Sequence, residues 1–112
     1  MSEELKQLLL NQPGIILNEE LNLIKISQKQ VEDNLKISEI EEPIKSEVDM
    51  NPTLKNIGQR KAAFIELLKP NTIYQDLKKL IPIQDAEIRK AQAHLSFQKE
   101  LQRSYLVIAG IK

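Results

Sequence analysis

Apolar residues recur along most of this chain at steps of three and four, the spacing that places them on one side of an α-helix. Leu5, Leu8 and Leu9 share a face, Ser2 precedes them as a candidate N-cap, and Glu3 and Glu4 occupy a first turn where the helix dipole favours anions. Pro13-Gly14 predicts a stop near Asn11, leaving a short N-terminal helix. Beyond it, Leu17, Leu21, Ile24, Val31 and Leu35 return at helical spacing with Gln28 in the one polar slot, which predicts a helix from about Asn18 to Glu42. The alternation in Leu21-Asn22-Leu23 and Ile24-Lys25-Ile26 also fits a strand, with Ile15-Ile16-Leu17 as its hairpin partner, so helix and hairpin both stand open for residues 15–26.

Pro43 biases Glu42 away from helical backbone, and the stretch that follows carries Ser, Asp, Asn and Pro52 with little periodicity. Residues 43–53 are therefore expected to form a connector. A helix then starts near Thr53 or Asn56, carries Ile57, Ala62, Phe64, Ile65 and Leu68, and ends at Pro70. Asn71 is a good N-cap for the last helix, Thr72 to Ala109, where Ile73, Leu77, Leu80, Ile81, Ile88, Ala91, Leu95, Leu101 and Ile108 recur at three- and four-residue steps. At about 1.5 Å per residue that element is on the order of 57 Å long. Pro82 lies inside the pattern and predicts a kink rather than an end, and Gly110 is the natural stop.

Composition sharpens the fold class. With 16 Leu and 15 Ile against 3 Val, 2 Thr, 2 Phe and 2 Tyr, the chain lacks most of the residues that suit a pleated surface. The expectation is an all-α single domain of 112 residues: an acidic helical region at 1–42, a connector at 43–53 and a basic helical pair at 54–110. The last helix and the acidic helix would form an antiparallel coiled-coil-like hairpin. So long a helix with one apolar stripe needs a partner surface, which predicts a homo-oligomer with Leu77, Ile81, Ile88, Leu95 and Leu101 as core or oligomer contacts.

The net charge of zero conceals a division. Residues 1–52 hold 5 Lys and 11 Asp+Glu, and residues 53–112 hold 11 Lys+Arg and 5 Asp+Glu, so the halves carry −6 and +6. Either the basic half meets an external polyanion or the halves pair with each other; pairing is preferred, because oppositely charged helices select partner and direction that way. The candidate phosphate or acidic-partner contacts are Arg60, Lys61, Lys78, Lys79, Arg89, Lys90 and Arg103. Lys78 and Arg89, like Lys79 and Lys90, lie 11 residues apart, about three turns, and so project from nearly one face. In the paired reading this stripe faces Glu19, Glu20, Glu32, Asp33 and Glu39 of the acidic helix.

Chemistry is sparse. The absence of cysteine excludes disulfides and thiolate metal sites and suits an intracellular protein. His94 has no acidic residue at three or four positions' distance, so it reads as a polar-rim side chain, and the cluster Glu39, Glu41, Glu42, Glu47 and Asp49 lacks the order of a calcium loop. There is no nucleophile pattern and no glycine-rich phosphate loop. No enzyme activity, cofactor, metal or membrane span is expected. Phe64 and Phe97 are expected in the core, and Tyr74 and Tyr105 at its rim with wet hydroxyls.

The run Leu54-Lys55-Asn56, then Gln59-Arg60-Lys61-Ala62-Ala63, Leu67-Leu68, Tyr74-Gln75 and the tail from Leu95 to Tyr105 resembles a loose group of small, mostly uncharacterised helical proteins of tailed bacteriophages and prophages. The likeness covers about residues 53–109, with Gly58 and Pro82 as departures. It implies a phage-type origin. The expected function is protein–protein interaction, as an assembly, adaptor or inhibitor protein meeting a phage or host partner. The alternative is a nucleic-acid-binding accessory of phage recombination or replication. Asn56, Gln59 and Arg60 are explained structurally as a capped helix start.

Overall fold

The computed structural model describes residues 2–110 as three helices, α1 (Glu3–Asp49), α2 (Ile57–Leu68) and α3 (Thr72–Ile108), with no strand among the described residues. The chain divides into two compact units. One joins Met1–Gln28 to Asp85–Lys112, and the other is Lys29–Gln84. Within each unit part of α1 packs antiparallel against part of α3, as Gln12 with Gln98 in the first and Glu41 with Tyr74 in the second demonstrate. The all-α helical hairpin expected from periodicity is present.

The N-terminal boundaries differ from expectation. The short helix ending near Asn11 and the helix from Asn18 to Glu42 are one element, α1, which passes through Pro13-Gly14 and Pro43 and reaches Asp49. The hairpin alternative for residues 15–26 is overturned by the same helix, and the connector is residues 50–56 rather than 43–53. A helical proline loses one hydrogen bond and crowds the preceding turn, at about 3 kcal/mol or more. Around Pro13 that cost is offset by Leu9, Gln12 and Ile16, buried or half-buried on both sides of it. Pro13, Pro43 and Pro82 all occupy exposed positions, where a carbonyl that loses its N–H partner is open to water.

The helix starts are local chemistry. Ser2 Oγ accepts from Leu5 N–H at 3.1 Å, Asn56 Oδ1 from Gln59 N–H at 2.8 Å, and Asn71 Oδ1 from Tyr74 N–H at 2.9 Å. Gln59 reaches back to accept from Lys55 N–H at 2.7 Å, which joins α2 to the connector. At the far end of α3, Gly110 takes a φ of 73°, the left-handed conformation that suits a helix stop.

A three-helix core fills the second unit. Ile37, Leu68, Tyr74 and Leu77 are buried together, with Ile40, Ile44, Phe64 and Ile81 packed against them. Phe64, Leu77 and Ile81 thus take the core roles expected of them. Tyr74 does not lie at a wet rim: it is 6% exposed, and its hydroxyl donates to Glu41 Oε2 at 2.9 Å. Among the described residues the first unit is built from two helices, parts of α1 and α3. Among its described residues just Gln12 and Ala91 are buried, while Ile88, Leu95 and Leu101 are half-buried and Phe97, expected in the core, is 59% exposed.

The largest correction concerns which side of α1 meets α3. In the first unit the inward positions are Leu9, Gln12, Ile16, Glu19, Leu23 and Ile26; in the second they are Gln30, Asp33, Ile37, Ile40 and Ile44, followed by Val48, which is buried beside α2. Leu17, Leu21, Ile24, Val31 and Leu35, from which the helix was inferred, are each just over half exposed.

Candidate interaction surfaces

Helix α1 carries two apolar registers. At 100° per residue, the line through Leu10, Leu17, Leu21 and Ile24 lies about 140° round the helix from the line through Ile16, Leu23 and Ile26. The second line is covered by α3, and the first is left to solvent, with Leu10 73% exposed. The inward line is the less apolar of the two because Gln12, Glu19, Gln30 and Asp33 interrupt it. That is why periodicity favoured the other. Two of these polar residues, Gln12 and Asp33, were the missed signal, since they match polar positions on α3.

Those matches occur once in each unit. Gln12, buried, donates through Nε2 to Gln98 Oε1 at 2.6 Å and to the Gln98 carbonyl at 3.0 Å. Asp33, 1% exposed, accepts from Gln84 Nε2 at 2.6 Å and from Lys29 Nζ at 3.0 Å, with Lys36 Nζ at 3.9 Å. The Gln84 hydrogen bond, then the Lys29 one, hold the Asp33 carboxyl below its ordinary range despite burial, and the charges of Lys29 and Lys36 add to this. Gln84 Oε1 is buried with no partner among the described residues. Each pair penalises a slip of one helix along the other, because a shifted register would leave a buried polar group opposite an apolar one. Burial, followed by the bond to Glu41, pushes the Tyr74 hydroxyl up to about 12.

In the second unit a groove of about 500 Å³ runs between α1 and α2. Its floor includes Val48, Phe64 and Ile65; Glu41, Glu42, Lys45 and Asp49 line the α1 side, and Arg60 and Lys61 the α2 side. Charges of both signs around an apolar floor suit a protein segment better than a phosphate backbone, which the three carboxylates would repel.

The remaining basic candidates are not gathered into a site. Lys78, Lys79, Arg89, Lys90 and Arg103 are exposed, with Lys78 Nζ 6.0 Å from the Tyr74 ring centre and Arg103 donating to Glu100 of its own helix at 2.8 Å. Of the acidic residues expected to face them, Asp33 is buried with Gln84, and Glu20 lies 3.7 Å from Lys99. His94 is exposed, near a shallow depression shared with Glu19, Glu87 and Lys90. The described residues contain no group of three or more His, Cys, Asp or Glu side chains placed to hold a metal, and no helix long and apolar enough to cross a membrane. Compared with known proteins, the chain matches no family model, no curated protein and no solved structure.

Proposed function

We propose that this chain is a non-enzymatic interaction protein, an assembly, adaptor or inhibitor protein of a phage or prophage that works through helical surfaces. The observation that carries the reading is the exposed line Leu10, Leu17, Leu21 and Ile24, spaced like the seam of a coiled coil on a helix whose other apolar face is already used for folding. Solvent-facing apolar residues at that regularity serve no purpose in the isolated fold. The mixed-charge groove between α1 and α2 supports the same reading. Affinity capture from the native host with the intact chain as bait tests it: the retained proteins should be lost with Leu17→Glu and Ile24→Glu baits, and a set unchanged by these substitutions and by substitutions in the groove counts against the proposal.

The exposed Lys78, Lys79, Arg89 and Lys90 favour a second reading, a nucleic-acid-binding accessory. Binding through them would weaken steeply between low and moderate salt, whereas a groove or seam contact would persist. Titration of a fluorescent oligonucleotide at two salt concentrations separates the two.

A further inference from the structure

Resting on the interaction reading, we propose that the occupant of the α1 seam is a second copy of this chain, whose own α1 lies parallel to the first and meets it through Leu10, Leu17, Leu21 and Ile24. Three observations in the first unit converge on this. The unit is a pair of helices in which, among the described residues, no large apolar side chain is buried, so its two helices lack the core that normally offsets the entropy of ordering them. A second copy on the opposite side of α1 supplies that burial.

The seam is also built to meet itself. Leu10, Leu17 and Ile24 repeat every seven residues, as do Gly14, Leu21 and Gln28, and the two sets interleave at steps of three and four. In a parallel pair each residue faces its own counterpart. Gln28 then lies opposite the second Gln28, where the two amides complete each other's hydrogen bonds and set the register, as a single polar core position does in two-stranded coiled coils. In the sequence the same repeat continues with Val31 and Leu35.

Charge selects the direction. Beside the seam Glu20 occupies the position preceding the core residue Leu21, and Lys25 the position five residues further on. In parallel α-helices side chains with this offset meet across the interface, so Glu20 of each copy, which in the single chain lies 3.7 Å from Lys99 in a solvent-open ion pair, reaches Lys25 of the other by sharing or exchanging that weak contact, twice by symmetry. The other flanking positions of this stretch, Asn11, Pro13, Asn18 and Ser27, are uncharged and add no repulsion between identical chains. An antiparallel pair centred on Leu21 and Ile24 would set Lys25 beside Asn18 and Glu20 beside Ser27, and the attraction would be lost.

Sedimentation equilibrium of the intact chain should give a dimer at micromolar concentration. Leu17→Glu and Ile24→Glu should raise the dissociation constant at least ~10-fold while the helical circular dichroism signal is retained, because both residues are exposed in the single chain. Ile73→Glu, at a still more exposed position on α3, should leave the mass unchanged. If a glutamate variant loses its helical signal, the milder Leu17→Gln and Ile24→Gln carry the same test. The chain has no cysteine, so Gln28→Cys should form a disulfide-linked dimer on mild oxidation in the parallel register. A monomer at every concentration, a dimer indifferent to the seam substitutions, or a seam-dependent dimer without this cross-link each overturns the proposal. A monomer whose seam still captures another protein removes the second copy but leaves the interaction role standing.

Discussion

Asp33 stays ionised between two helices because Gln84 and Lys29 donate to it and Lys36 lies close by. Its carboxyl titrates below the ordinary 3.8, so the folded state binds the proton less readily than the unfolded one. The resulting stability is fully present above the unfolded value and is lost as pH falls through the folded one. Acid titration followed by circular dichroism should show a loss of stability in that window, and Asp33→Asn should blunt it. Asp33→Ala strands the buried Gln84 amide and should cost about 1–3 kcal/mol in chemical denaturation. Replacing the pair together, Asp33→Leu with Gln84→Leu, should be near neutral or stabilising, since an apolar pair of similar size needs no desolvated charge.

For the helices, local chemistry decided the starts and tertiary contacts decided the lengths. Caps at Ser2, Asn56 and Asn71 are readable because a short polar side chain can reach the free N–H groups of the first turn wherever it stands. The continuation of α1 through Pro13-Gly14 is not readable, because Gln98, which holds Gln12 there, is remote in sequence. Gly14 lies in ordinary helical backbone, and a Cβ added there meets nothing within 4 Å. Gly14→Ala should therefore stabilise the single chain by about 0.5–1 kcal/mol, raising its melting temperature. A lower melting temperature would mean that the glycine is needed for a contact in an assembly.

The molecule as a whole concentrates its buried apolar residues where three helices meet. Leu68, 3% exposed, lies at that junction with Ile37, Tyr74 and Leu77, so Leu68→Ala should cost about 2–5 kcal/mol, a large share of the stability of a chain of this size. Lys79→Ala and Lys90→Ala, both at exposed positions, should change stability by less than about 0.5 kcal/mol. Thermal melts of the three variants check this ordering. Exposed basic residues on α3 and an exposed apolar line on α1 leave the molecule with more unused surface than its folding requires, and that surplus motivates the proposed interaction role.

The sequence by itself determined the all-α class, the caps at Ser2, Asn56 and Asn71 though not the one expected at Asn18, the position of α2 and nearly the whole extent of α3, because propensity, capping and periodicity act within a few residues of one another. It also showed that α1 has a helical apolar stripe at Leu17, Leu21, Ile24, Val31 and Leu35. Only the tertiary structure decided that α3 covers the other side, through Ile16, Leu23, Ile37 and Ile44. Burial rewards apolar side chains, but register is settled by polar ones that must find partners, and the partners Gln98 for Gln12 and Gln84 for Asp33 lie 86 and 51 residues away. A pattern read along one helix cannot hold that information, because it resides in the match between two.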